Sequence, residues 1–109
     1  MKVNFLKYIS FLLILLIFSC TFTQKIKDGE MAFDRKQYAV AINMLSDEFE
    51  RTEYQELKAR KAFLIAESYK AINDVPQSIE WYKNAFDLKF GDKALEELAY
   101  ALKRNEQYR

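Results

Sequence analysis

The sequence predicts an all-α protein, a helical-hairpin solenoid of about two and a half repeats built from five helices. The 109 residues include only two glycines and one proline while half are hydrophobic, which favours helices with short connections over a turn-rich β fold. Apolar residues recur at helical spacing from about Lys25 to Tyr108, with no sustained alternation of period two. The helices also repeat, with a period of about 34 residues.

The first 19 residues have the pattern of a secretory signal peptide. Lys2 and Lys7 give a positive start, and an apolar run of about eleven residues follows at positions 8–18. A helix that spans a membrane needs about 20 apolar residues, so this run is short for a permanent span. The run ends in Ile-Phe-Ser-Cys at positions 17–20, which resembles the lipobox of bacterial lipoproteins.

The lipobox resemblance implies that residues 1–19 are removed, that Cys20 is lipidated, and that residues 20–24 form a lipidated tether. The alternatives are an ordinary signal peptide with an incidental cysteine and an uncleaved anchor helix. No aspartate follows Cys20 directly and the tether has no acidic cluster. We therefore expect a lipid-anchored protein of the bacterial outer membrane that faces the periplasm.

Residues 25–109 form the predicted helical domain, and its first three helices are read from apolar spacing and end signals. The first helix is predicted from about Lys25 to Arg35, and the second spans positions 37–50. Thr52, followed by Gln55 three residues later, is a capping-box pattern and predicts the start of the third helix. That helix is expected to continue to about residue 72.

The last two predicted helices have clearer punctuation. Asp74 is a candidate N-cap for the fourth helix, and Pro76 falls in its first turn, where a missing N–H costs nothing. Gly91 suits a left-handed residue at the end of that helix. Asp92 is then expected to cap the fifth helix.

The repeat is carried by small residues at matching positions. Ala66 corresponds to Ala99 at a shift of 33 residues and to Gly29 at a shift of 37. Further small and bulky residues match along the second helices, at Ala41 and Ser78, Leu45 and Tyr82, and Ala85. This pattern resembles the tetratricopeptide repeat, because closely packed antiparallel helices need a small residue at their contact.

Two stretches, residues 37–49 and 78–102, resemble more specifically the opening repeats of large envelope lipoproteins. Those proteins continue into a β-propeller and an OmpA-like peptidoglycan-binding domain, and some serve type IX secretion and gliding motility. Neither later domain is found in this sequence, and the third hairpin has only its first helix. We expect a truncated relative, a gene fragment, or a half-repeat that a partner completes.

Composition argues against several kinds of chemistry. The 17 basic and 16 acidic residues are spread along the chain, so no basic stripe marks a nucleic-acid partner. With no histidine and a single cysteine, a Cys/His zinc site, a Ser-His-Asp site and an internal disulfide cannot be built. We expect no catalysis, no cofactor, no metal and no small-molecule substrate.

The tetratricopeptide resemblance implies a groove lined by the first helix of each hairpin, where partner peptides or helices lie. Carried over position by position, the groove comprises Glu30, Phe33, Asp34, Arg60, Phe63, Glu67, Lys70, Glu96, Tyr100 and Lys103. The alternative for the two phenylalanines is that they pack in the core. The implied function is a scaffold or adaptor for protein partners in the envelope, in a secretion or motility assembly. The alternative is a structural subunit whose open C-terminal edge docks into a larger complex.

Overall fold

The computed structural model describes the backbone of residues 2–20 and 25–107, and the side chains of residues 4–15 and 25–107. The described chain is all-α and has six helices: α1 (Lys2–Cys20), α2 (Gly29–Asp34), α3 (Tyr38–Arg51), α4 (Gln55–Ala71), α5 (Val75–Asp87) and α6 (Asp92–Gln107). The predicted helical-hairpin solenoid is confirmed. Its five helices are α2 to α6, and the count rises to six because the leader is itself helical.

Helix α1 is formed by the apolar leader. Its side chains at positions 4–15 are all exposed. Across the described residues, no helix combines the length and hydrophobicity that crossing a membrane requires. Cys20 is the last residue of α1, and its side chain lies outside the described residues, as does the predicted tether at positions 21–24.

The solenoid places α4 at its centre. Helices α2 and α3 form the first hairpin, α4 and α5 form the second, and α6 packs against α5. Helix α4 also packs against α3, so it is covered on two sides. This explains why its buried residues do not form one narrow stripe; they are Ala59, Ala62, Ile65, Ala66 and Ser68.

Small residues lie at the helix crossings of the first two hairpins, as predicted. A Cβ added at Gly29 would lie 2.5 Å from Cγ of Leu45, so α2 and α3 approach too closely for a side chain there. Ala66 is fully buried in a cluster with Val75 and other residues of α5. The third position differs, because Ala99 is exposed and no described helix covers it.

Helices α2, α4 and α5 end in the same way. The second residue after each helix is in the left-handed region, with φ of 60° at Lys36, 64° at Asn73 and 65° at Lys89. In each case two backbone N–H groups bond back to carbonyls of the last turn, which is the Schellman arrangement. The chain therefore reverses in the same way three times.

The predicted end of α5 and start of α6 need correction. The left-handed residue that ends α5 is Lys89, because its N–H and that of Phe90 donate to carbonyls of the last turn. Gly91 has a φ of 119° and lies in the connection to α6 instead. Asp92 is the first residue of α6 rather than its cap, and its carboxylate stands in the positive first turn.

Two predicted helix starts are also wrong. Helix α2 begins at Gly29 and not near Lys25, because Asp28 Oδ1 accepts a hydrogen bond of 2.8 Å from the N–H of Met31 and caps the helix. The capping box before α4 does not form. The Thr52 hydroxyl donates to the Glu48 carbonyl at 2.6 Å and closes the end of α3.

The start of α5 is confirmed. Asp74 is its N-cap, and Asp74 Oδ1 accepts a hydrogen bond of 3.3 Å from the N–H of Gln77. Pro76 lies in the first turn, where no partner for its nitrogen is needed.

Candidate protein-binding surface

The residues predicted to form the groove lie on α2, α4 and α6, and two ion pairs join these helices side by side. Arg60 of α4 donates to Glu30 Oε1 of α2. Lys70 Nζ of α4 lies 2.8 Å from Glu97 Oε2 of α6. The charged side chains expected to meet a partner therefore hold neighbouring helices together.

The pair between α2 and α4 lies at the surface. The hydrogen bond to Glu30 and the charge of Glu30, with a smaller contribution from Asp34, raise the pKa of Arg60. Asp34 itself is exposed. An exposed ion pair contributes only about 0–1 kcal/mol, so a ligand can displace it at little cost.

The pair between α4 and α6 involves a carboxylate that sequence reasoning did not select. Glu97 is buried, and its two oxygens meet Lys70 at 2.8 Å and Lys93 at 3.2 Å. Burial opposes ionisation of Glu97, but the two lysine hydrogen bonds and charges outweigh it and lower the pKa of this carboxyl. Glu97 therefore acts as an ionised link between the second hairpin and α6.

Glu67 is also engaged inside the protein. Its Oε1 accepts a hydrogen bond of 2.6 Å from the Tyr82 hydroxyl and lies 4.0 Å from Lys70 Nζ. Glu67 and Lys70 thus belong to one polar network at the junction of α4, α5 and α6. Their predicted role as contacts for a partner stays a prediction.

The two phenylalanines of the predicted groove pack in the core, as the alternative held. The ring of Phe63 stacks on Phe90, with centroids 4.2 Å apart, and leans on Tyr82 at 5.8 Å. Phe33 meets the edge of Tyr38 at 5.8 Å and packs against the buried residues between α2 and α3. Both rings are partly buried, so little of either is available to a ligand.

The remaining predicted residues are on α6 and are exposed. They are Glu96, Tyr100 and Lys103. Tyr100 is 62% exposed and lines a small cavity of about 70 Å³ between α4, α5 and α6. Lys70 and Glu97 line the same cavity, so it is closed by the polar network described above.

A much larger concavity lies elsewhere, between the start of α4 and the connection from α5 to α6. This open groove has a volume of about 1080 Å³. Tyr54 and Leu57 line one wall and are 75% and 50% exposed. Leu88 and Phe90 line the facing wall, and we call this surface the α4-start groove.

A single hydrogen bond ties the two walls of the α4-start groove together. Gln55 Nε2 donates to the Leu88 carbonyl at 3.1 Å. The rim carries charges of both signs, from Glu56, Arg60 and Lys89. The groove therefore combines apolar walls with a polar edge.

Of the predicted groove residues, only Arg60 lines the α4-start groove. Tyr54 and Leu57 could have been found, because they are large apolar residues three apart on an otherwise polar turn of α4. The facing wall could not, because Leu88 and Phe90 are 33 residues or more from Gln55 in sequence and come close only through the hairpin.

The side chains of this surface are suited to binding. In the part of the chain that the structure describes, no group of three His, Cys, Asp or Glu residues is placed to hold a metal ion. Comparison with known proteins finds no matching family model, no similar curated protein and no similar solved structure.

Proposed function

We propose that this protein is a membrane-anchored scaffold of the tetratricopeptide type that binds other proteins in the bacterial envelope. The observation that carries the proposal is the α4-start groove, where Tyr54 and Leu57 are exposed on a rigid helical hairpin. The protein works by shape and contact and performs no catalysis.

The composition of the groove supports a peptide or helix as its ligand. Protein interfaces place aromatic and aliphatic anchors at their centre and polar groups at the rim. Tyr54, Leu57 and Phe90 supply such anchors, and Arg60 and Lys89 supply charges at the edge. A partner with two or three apolar side chains on one face matches this arrangement.

The ion pairs along α2, α4 and α6 support the same proposal in another way. Arg60 with Glu30, and Lys70 with Glu97, fix how the first helices of the hairpins lie against one another. A surface that is rigid before binding loses less conformational freedom when a partner docks. The helices therefore offer a preformed platform beside the groove.

Anchoring is proposed from the lipobox resemblance. Lipid on Cys20 and removal of residues 1–19 would hold the solenoid at the outer membrane, facing the periplasm. The likeness to opening repeats of envelope lipoproteins suggests a secretion assembly, of type IX, or a motility assembly as the setting.

One observation favours a second function, that of a structural subunit in a larger envelope complex. The outer face of α6 exposes Leu95 and Leu102, which gives the solenoid an uncovered apolar edge. A subunit of this kind would be insoluble or self-associated without its assembly, whereas an adaptor would be soluble alone once released from the membrane.

Matched surface variants test the adaptor function. Leu57→Glu places a charge in the α4-start groove, while Ile72→Glu changes a side chain of equal exposure, 48% against 50%, outside it. We expect Leu57→Glu to lose the protein that co-purifies from solubilised membranes and Ile72→Glu to retain it. Equal retention by both variants would rule out the groove as the binding site.

The anchor is tested by mass spectrometry of the membrane-bound protein, with Cys20→Ala as the control. We expect an N-terminal peptide that begins at Cys20 and carries acyl chains, and none in the variant. A leader that remains attached, or an unmodified Cys20, would contradict the proposed anchor.

A further inference from the structure

The outer face of α6 carries an exposed apolar stripe made of Leu95, Ala99 and Leu102. Leu95 is 47% exposed and Leu102 is 43% exposed, and Ala99 between them is exposed as well. Residues spaced by four and three lie on one face of a helix. The residues that α6 buries, Ala94 and Ala101, lie on another face, so the stripe is uncovered in the described part of the chain.

The same face is covered by a helix in the second hairpin. The repeat shift of 33 residues places Leu95 at Ala62 and Ala99 at Ala66. Ala62 and Ala66 are fully buried, in clusters that contain residues of α5. Helix α5 runs antiparallel to α4 across a short turn, so α6 presents a face of the kind that accepts an antiparallel helix.

Two charged residues flank the stripe along one edge. Glu96 and Lys103 are seven residues apart and so lie on the same side of α6. Both are exposed, and within the described part of the chain neither takes part in an ion pair. Glu96 acts only through its charge, which contributes to raising the pKa of Lys93.

These charges are complementary to a second copy of the same helix. If two α6 helices cross antiparallel with Ala99 on a two-fold axis, Glu96 lies about 4.5 Å to one side of the axis and Lys103 about 6 Å to the other, at 1.5 Å per residue. Each Glu96 then lies beside Lys103 of the second copy. The symmetry forms this contact twice.

We propose that two copies of this chain associate through α6 as an antiparallel, two-fold symmetric helix pair. Leu95 of each copy packs against Leu102 of the other, and the two Ala99 residues meet at the axis. The small alanine lets the helices approach to about 8 Å, and the leucines fill the layers on either side. This dimer does not rest on the adaptor function, because the α4-start groove is a different surface.

Disulfide trapping of the full chain in mild detergent tests the geometry. Cys20→Ala removes the native thiol, and Ala99→Cys then places one thiol per copy on the axis. The matched control is Cys20→Ala with Lys83→Cys, an exposed position on α5 away from the stripe. We expect oxidation to trap a dimer several-fold more efficiently at position 99 than at position 83, and equal trapping would overturn the proposal.

Charge exchange tests the register. Glu96→Lys turns both proposed ion pairs into repulsions and is expected to raise the dimer Kd about tenfold, while adding Lys103→Glu restores the pairs and the affinity. A chain that stays monomeric at every concentration, or a double variant that is no tighter than Glu96→Lys, would overturn the proposal. So would a dimer that persists when Leu95→Asp and Leu102→Asp are combined.

Discussion

The hydroxyl of Tyr82 donates a hydrogen bond of 2.6 Å to Oε1 of Glu67 and so joins the two helices of the second hairpin at the edge of the core. The ring of Tyr82 is fully buried, and burial first and the Glu67 carboxylate second raise the pKa of Tyr82 far above its ordinary value. The neutral tyrosine is therefore a fixed donor. Glu67 retains partial contact with solvent.

Removal of this hydroxyl tests its contribution to stability. Tyr82→Phe keeps the buried ring and loses the hydrogen bond, so we expect the free energy of unfolding to fall by about 1 kcal/mol. Tyr82→Ala also empties the core and is expected to cost about 3–5 kcal/mol. Urea unfolding followed by circular dichroism measures both, and a Tyr82→Phe protein as destabilised as Tyr82→Ala would contradict the account.

Glu97 is expected to make the protein sensitive to acid. Its pKa in the folded chain lies below the ordinary value of 4.5, so the folded state binds fewer protons than the unfolded state. Its contribution is complete above pH 4.5 and is lost as the pH falls through the lowered pKa. Unfolding free energies measured between neutral pH and the acid range therefore decline more steeply in the native chain than in Glu97→Gln.

At neutral pH, Glu97→Gln is expected to cost about 1 kcal/mol, since its lysine partners are partly exposed and screened by solvent. Glu56→Gln serves as the matched control, because Glu56 is exposed and no shift of its environment is involved. If both variants show the same acid profile as the native chain, Glu97 is not the responsible group.

Gly29 is expected to tolerate no side chain. A Cβ there would meet Cγ and Cδ2 of Leu45 at 2.5 and 2.8 Å, and Leu45 is itself fully buried and cannot easily move. We expect Gly29→Ala to lower the free energy of unfolding by about 1–3 kcal/mol through overpacking. In a Leu45→Ala background the same change should cost much less, and an equal cost in both backgrounds would exclude the predicted contact.

The left-handed residues at the helix ends offer stabilising substitutions. Lys89 adopts a φ of 65°, which costs a non-glycine residue about 1 kcal/mol. Lys89→Gly and Lys36→Gly are each expected to raise the melting temperature, while Asn73→Gly should have a smaller effect because asparagine accepts this conformation more readily. A lowered melting temperature for Lys89→Gly would mean that its side chain contributes more than its backbone costs.

Much of the fold could be predicted because its signals are local. Helical spacing identified all five helices of the solenoid, and the small residues Gly29 and Ala66 marked two crossings. Asp74 and Pro76 fixed the start of α5, since capping depends on neighbours within one turn.

The parts that failed depend on competition or on distant neighbours. Lysines took the left-handed positions where glycine was expected, because backbone hydrogen bonds of the turn outweigh the steric cost at Lys89. Thr52 bonded backwards to Glu48 instead of capping α4. The walls of the α4-start groove come from Leu57 and Phe90, which only the packed hairpin brings together.

Site-specific crosslinking tests the central claim most directly. A photoreactive amino acid replaces Leu57 in the α4-start groove and, in a separate chain, the equally exposed Ile72, and crosslinked products from living cells are identified by mass spectrometry. The account predicts one envelope protein joined through position 57, absent at position 72 and lost when Cys20→Ala removes the anchor. Identical products at both positions, or none at position 57, would contradict a protein-binding groove.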